Sequence, residues 1–273
     1  MAKRDKSLAR IPGNRRRSAS TDAPAREPGE SAKIAVYSVK GGVGKTTIAA
    51  NLAWCSAMLS GHRTLLWDLD AAGGAGFIYG VEATAGARAE RIFSQDRDAA
   101  DLARATGFAG LDVLPADESL RALDRQFSFI GKRRRLSRLT QKLGERYARI
   151  VLDCPPVMNE VSAQVVRAAD LVIVPLPPSP LSARALDLVV REVADHARHH
   201  PPILPVHSML DTRRTLHRQA RDAHPDWPIV PYASAVEQCA VLHRPVGAIA
   251  PQSPAGQCFA ALWQAIESKL THG

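Results

Sequence analysis

Within the stretch "KGGVGKTT" one lysine, Lys45, sits inside a glycine-rich turn and another, Lys40, stands just ahead of it. Gly41, Gly42 and Gly44 let the backbone curl and aim N–H groups inward, and the helix that follows adds its positive N-terminal end. Such a curl cradles phosphate oxygens. Lys45 is then placed to reach the β- and γ-phosphates of a nucleotide, and the Thr46 hydroxyl to ligate Mg2+. Val43 and Thr47 complete the loop, Gly41 to Thr47, expected to wrap the phosphates. The ordinary pattern G-x-x-x-x-G-K-[ST] has glycine at position 39; here Val39 holds that place and Lys40 follows it.

Carboxylates come next. "TLLWDLD" ends with Asp68 and Asp70, two residues apart and so on one side of an extended backbone. "RIVLDCPP" places Asp153 at the end of an apolar run, where it can hold the coordination shell of Mg2+. Cys154 reads as a buried small residue.

Elements must bring these groups together. Apolar runs at 33–39, 63–69, 111–116, 148–154, 170–176, 202–210 and 229–232 read as strands, too apolar to be half-exposed. Helices are expected over 45–60, 97–105, 118–127, 131–146, 159–168, 181–199, 212–223 and 255–270. The alternation implies an α/β fold: a mostly parallel twisted sheet with helices on both faces, in three layers. Residues 71–96, rich in small side chains, read as a mobile connection. Residues 1–30, rich in Arg, Ser, Pro and Gly, read as a disordered basic tail ahead of one domain over 31–273.

The chain has 273 residues, 45% of them hydrophobic, enough for a sizeable core. No run of about 18 apolar residues is present, so no transmembrane segment is expected. The first residues lack the apolar stretch of a secretory signal. Cys55, Cys154, Cys239 and Cys258 are scattered without CxxC spacing, which favours reduced thiols in a cytoplasm. Formal net charge is +9, of which the first 30 residues carry +4, so the excess extends into the folded part and suggests an acidic polymer as partner.

The variant K-G-G-x-G-K-[ST] resembles the deviant Walker motif of the ParA/MinD family of P-loop ATPases. That resemblance implies the P-loop NTPase fold, ATP and Mg2+ as cofactors, and a dimer formed face to face across two nucleotides. Lys40 would then reach the phosphates bound by the second copy and neutralise charge that develops during phosphoryl transfer. The family writes the second motif D-x-D-P-Q-G. Asp70 matches the carboxylate associated with the attacking water and Asp68 the one nearer the metal, while Ala71-Ala72-Gly73 replaces Pro-Gln-Gly. Asp153 matches the Walker B carboxylate, and Pro155-Pro156 the turn after it. "SMLDTRRTLHRQ" resembles a T-M-x-D-x-R-T-x-L segment, placing Asp211 and Arg213 near the base, and backbone around Pro231 would line the adenine. The resemblance covers about residues 33–270.

Members of the ParA type bind nonspecific double-stranded DNA as ATP dimers, through phosphate contacts that need Lys/Arg and little base reading. Arg184, Arg213, Arg214, Arg218, Arg221 and Arg244 are the candidates carried over. The family's P-R-N-V-R-L-S segment is replaced by Pro231-Tyr232-Ala233-Ser234-Ala235-Val236, without its arginines. DNA contact is therefore also sought in "KRRRLSRLTQK", where Leu136, Leu139 and Leu143 mark a buried stripe and Lys132 to Arg135 and Arg138 lie outside it, and in the tail with Arg15, Arg16 and Arg17. The expected role is an ATPase that positions a cargo on the nucleoid, with an adaptor protein stimulating hydrolysis. The alternative is a MinD-like membrane-associated ATPase, which needs a basic amphipathic C-terminal helix. "CFAALWQAIESKLTHG" offers only Lys269. An iron–sulfur carrier would need bridging cysteines, which the spacing does not supply.

Overall fold

The computed structural model describes residues 30–83, 99–117, 119–120, 135–196 and 201–272. The chain runs through β1 (Ala32–Val36), α1 (Lys45–Leu59), β2 (Thr64–Asp68), α2 (Gly74–Ile78), α3 (Ala99–Leu102) and β3 (Arg104–Ala105). Then follow β4 (Leu111–Leu114), α4 (Arg135–Leu143), β5 (Arg149–Asp153), α5 (Glu160–Ala168), β6 (Leu171–Leu176) and α6 (Pro180–His196). The last third holds β7 (Ile203–Leu210), α7 (Thr215–Ala223), β8 (Ile229–Pro231), α8 (Ser234–Leu242), α9 (Val246–Ile249) and α10 (Pro254–His272).

Strand periodicity divides the core in two. Side chains alternate between the faces of a strand. Ile34 and Val36 of β1, Leu66 of β2, Val151 of β5 and Ile173 of β6 enter one cluster. Their sequence neighbours Ala35, Tyr37, Leu65, Trp67, Ile150, Leu152, Val172 and Val174 enter the other. The first face is covered by α1 and by Phe259, Leu262, Trp263 and Ile266 of α10, whose spacing makes one helical stripe. The second is covered by Leu136 and Leu143 of α4, Val165 of α5, and Val189 and Val193 of α6. Strands buried on both faces explain the continuous apolar runs in the sequence.

The sheet order is β3-β4-β2-β5-β1-β6-β7-β8, parallel throughout except for the β3–β4 pair. β1 lies between β5 and β6, the point where the chain's path across the sheet reverses. Crevices at the carboxyl ends of strands at such a point are where open α/β sheets bind ligands. The glycine turn leaves β1 there.

Several expectations are corrected. The helix expected over 97–105 is a single turn, α3, followed by the antiparallel edge strand β3. Part of the connection 71–96 folds as α2, and two helices not expected, α8 and α9, fill 234–249. In α4, Leu136 and Leu143 are buried as anticipated, but Arg135, expected outside the stripe, is buried too. The basic tail, the helix expected over 118–127 and residues Lys132 to Arg134 lie outside the described residues. Among the described residues no helix is long and apolar enough to cross a membrane.

Candidate active site

The turn between β1 and α1 is shaped by its glycines. Gly42 has φ +68 and Gly44 φ +86, a left-handed backbone that side chains resist. Gly44 caps α1 with no side chain bonded to the helix's first amides, so these point outward as unused donors. A Cβ added at Gly41 or Gly42 would meet nothing within 4 Å. There is room in front of the loop for an anion.

Lys45 folds across this turn. Its Nζ donates to the Lys40 carbonyl at 3.3 Å, and only 7% of the residue is exposed. Burial lowers its pKa, while the neighbouring Asp153 pulls it back up. Lys40 is half-buried and its backbone N–H donates to Ser38 Oγ at 3.3 Å. Among the described residues the Lys40 ammonium has no hydrogen bond or ion pair.

The carboxylates arrive on neighbouring strand ends. Asp68 of β2 and Asp153 of β5 are register partners. Asp153 is fully buried, and among the described residues neither of its oxygens has a hydrogen-bond partner of good geometry. Burial drives its carboxyl well above the usual range, the Asp68 charge adds to this, and the nearby Thr46 hydroxyl and Lys45 offset part of it. Two oxygens left orphaned beside a hydroxyl fit a hard divalent cation. Asp68 is arranged differently. Its Oδ1 accepts the Asp70 N–H at 3.1 Å, and its Oδ2 accepts those of Ala75 and Gly76 at 2.9 and 3.4 Å. Burial still raises it to about 7. Asp68, the carboxylate expected nearer the metal, uses its oxygens to grip the start of α2, while those of Asp153 are unengaged. Asp70 is partly exposed, and its Oδ1 accepts the Ala72 N–H at 3.1 Å.

Packing ties this second loop to the first. A Cβ at Gly74 would lie 2.9 Å from Thr46 Cγ2, so only glycine lets α2 approach so near. Asn51 of α1 accepts the Val246 N–H at 2.7 Å and donates to the Thr47 carbonyl at 2.8 Å, bracing α1's first turn against α9. Sequence reasoning missed Asn51, whose partner is far along the chain.

β7 closes the other side. Met209 has φ +53, a conformation rare for its residue type, at an irregularity in the β7–β8 register. Its Cε would stand 3.7 Å from a Cβ at Gly44. Pro231 pairs in register with Leu210, and the Tyr232 N–H donates to the Leu210 carbonyl at 2.9 Å. Asp211 and Arg213 engage each other through two contacts, Nε–Oδ1 at 2.9 Å and Nη2–Oδ2 at 3.0 Å. Hydrogen bonds from Arg213 hold the Asp211 carboxyl down at about 2. His217, also missed from sequence, accepts the Asp211 N–H through Nδ1 at 2.9 Å.

The candidate arginines differ in how committed they are. Arg218 donates to the carbonyls of Thr212 and Arg213 at 2.9 and 3.0 Å, and Arg221 pairs with Asp222 at 2.8 Å. Arg244 lies over the Phe108 ring, 5.8 Å from its centroid. Arg184 and Arg214 are exposed, and their guanidinium groups make no hydrogen bond to a described residue.

Glycine turn, buried lysine and paired strand-end carboxylates together define a P-loop nucleotide site, and comparison with known proteins agrees. A family model described as an AAA domain matches residues 31–204. The chain belongs to this family of P-loop ATPases, which takes in ParA, Soj and MinD-like proteins. It is 35% identical over 145 residues to the sporulation initiation inhibitor protein Soj of Bacillus subtilis, a match covering 52% of this chain and 57% of Soj. The match thus spans little more than half of that relative. In fold, it resembles McdA of Cyanothece solved with ATP, with TM-score 0.77, 17% identity, and coverage of 87% of this chain and 97% of McdA. It also resembles MinD of Pyrococcus horikoshii complexed with Mg-ADP, with TM-score 0.70, 20% identity, and coverage of 87% and 96%.

Proposed function

We propose that this chain binds ATP with Mg2+ and hydrolyses it slowly, as a face-to-face homodimer that positions a cargo on nonspecific double-stranded DNA. The observation that carries the reading is the contrast between the two lysines. Lys45 is folded into the cradle it serves, whereas the Lys40 ammonium has no described partner. A cation held at the lip of its own site is suited to the phosphates of a second copy.

The glycine-turn amides and Lys45 bind the triphosphate, with the positive end of α1 behind them. Thr46 and Asp153 would hold Mg2+, which would supply positive charge to offset that of the phosphates. Asp70, the carboxylate exposed to water, orients the attacking molecule, and Asp68 fixes the loop carrying Asp70. The partner subunit's Lys40 neutralises charge on the γ-phosphate as it leaves. Asp211, Arg213 and the backbone at Pro231 are the candidates for contact with the base, as the resemblance implies. Arg184 and Arg214, with their unengaged guanidinium groups, lead the candidates for DNA phosphates. An adaptor protein would stimulate turnover, as the resemblance implies.

The membrane reading is weaker, because the apolar stripe of α10 is spent on the core: Phe259, Leu262, Trp263 and Ile266 are all buried. Size-exclusion profiles with ATP and Mg2+ test the dimer, and Asp70→Ala is expected to hold it in the nucleotide-bound state. Retention on random-sequence DNA should require ATP and weaken steeply as salt rises. Binding indifferent to both nucleotide and salt sinks the DNA reading.

A further inference from the structure

Away from the phosphate turn, a carboxylate lies buried with no cation paired to it among the described residues. Glu192, on the inner side of α6, is 3% exposed and makes no ion pair to a described residue. Two hydroxyls serve it instead. Tyr37 O–H donates to Oε2 at 2.5 Å, and Ser162 O–H donates to Oε1 at 2.6 Å. Burial, and then the hydrogen bond to Glu192, hold the Tyr37 hydroxyl well above the usual phenol range, so it remains a donor.

A buried charge met only by neutral donors is costly for folding, and an apolar side chain of the same size would be the cheaper filling. Its partners show what it holds. Tyr37 directly precedes Ser38, which accepts the Lys40 N–H, and its hydroxyl lies 3.2 Å from the Val157 carbonyl. Ser162 is in the first turn of α5. Its hydroxyl accepts the Asn159 N–H at 2.9 Å, while Asn159 Oδ1 accepts the Ser162 N–H at 3.1 Å. Glu192 therefore grips both ends of an arrangement that encloses residues 154–159, the loop that begins at Asp153. Pro155 and Pro156 already narrow that loop's conformations, so three anchors in six residues leave it one register.

We propose that Glu192 is a positioning residue for ATP hydrolysis: through Tyr37 and Ser162 it fixes the loop after Asp153 relative to the turn that carries Lys40 and Lys45. The inference rests on the ATPase reading above, and not on the DNA or cargo parts of it. Because the side-chain hydrogen bonds of the three go to one another and to the loop rather than to residues 41–47, their loss should leave nucleotide affinity alone and slow turnover.

Tyr37→Phe, Glu192→Ala, Glu192→Gln and the double variant Tyr37→Phe/Glu192→Ala are compared with the wild-type chain. Affinity is read from fluorescent-ATP titration and turnover from single-turnover hydrolysis with Mg2+ at fixed protein concentration. The expected result for Tyr37→Phe and Glu192→Ala is turnover slower by about tenfold to a hundredfold with affinity nearly unchanged. Glu192→Gln, which can accept from one hydroxyl and donate to the other, recovers most of the rate. The double variant is no slower than Glu192→Ala, as members of one network should not add. Wild-type rates in Tyr37→Phe, parallel losses of affinity and turnover, or additive losses in the double variant overturn the proposal. Should Glu192→Ala fail to fold, Tyr37→Phe, which removes a single oxygen, decides by the same two readings. A wild-type chain that does not hydrolyse ATP overturns the ATPase reading itself, whereas normal turnover with an indifferent Tyr37 overturns only the positioning role.

Discussion

Asp153→Asn should make the ligand-free protein more stable while removing its response to nucleotide. The substitution keeps the volume and shape of a fully buried side chain and removes a charge that finds no hydrogen-bond partner there. Leaving a buried polar group unsatisfied costs about 1–3 kcal/mol, more when charged. The amide stays unpaired but uncharged, so the relief is the part of that cost due to charge, about 1 kcal/mol, or roughly 2–4 °C in Tm for a chain of this size. The effect depends on pH in a defined direction. Burial raises the folded-state pKa of Asp153 above its unfolded value, so the folded protein holds the proton more tightly. Stability from this group is greatest below about pH 4 and declines as pH rises toward the folded pKa. The gain from Asp153→Asn should therefore be larger at pH 8 than at pH 5. With ATP and Mg2+ at a hundred times Kd, the wild-type chain gains about 2.7 kcal/mol by mass action; the variant, lacking the anionic oxygens for the cation, gains little. Thermal melts at both pH values, with and without Mg-ATP, measure all four quantities. A ligand-free variant less stable than wild type at pH 8, or one still stabilised by Mg-ATP to the same degree, would refute the reasoning.

Lys45→Ala is expected to abolish ATP binding, whereas Lys40→Ala should bind ATP normally and lose hydrolysis by about a thousandfold, the scale of a cation supplied across an interface; equilibrium titration and turnover separate the two. His217 accepts the Asp211 N–H, which a protonated Nδ1 cannot do, and burial lowers its pKa. The Asp211 amide should accordingly keep its hydrogen-exchange protection above about pH 6.5 and lose it as pH falls through the depressed folded value. Gly76→Ala would place a Cβ 2.5 Å from the Val81 carbonyl and should destabilise by about 1–3 kcal/mol in denaturant titration. Gly41→Ala, with nothing within 4 Å of its Cβ, should leave ligand-free stability unchanged while weakening ATP binding, because the methyl fills the cradle.

What could be read in advance was what depends on neighbours in sequence. The glycine turn, Lys45, Thr46 and the strand-end carboxylates were legible because their spacing alone forces the geometry, and the seven apolar runs were legible because burial on both faces leaves no polar alternation. α3 and β3 were not separable, since a single turn and a two-residue edge strand carry too few residues for a period to show. α8 was hidden because its apolar residues outnumber the polar ones and are spread around the helix, which gives no clear stripe. The engagement of Asp68 with Ala75 and Gly76 was invisible because it depends on where α2 lands. Tyr37 just after β1, Ser162 in α5 and Glu192 in α6 lie far apart in sequence, and only the fold brings them together.

The vacancy where Gly74 has no side chain has a mechanical meaning. A Cβ there would stand 2.9 Å from the Thr46 methyl, closer than side-chain carbons pack, so the start of α2 lies against Thr46 only because that carbon is missing. The same short helix is tethered through its amides to Asp68, whose other oxygen holds the backbone of Asp70. The Thr46 side chain and the segment that carries Asp70 are thus held against one another, a closeness made possible by the absence of one carbon atom.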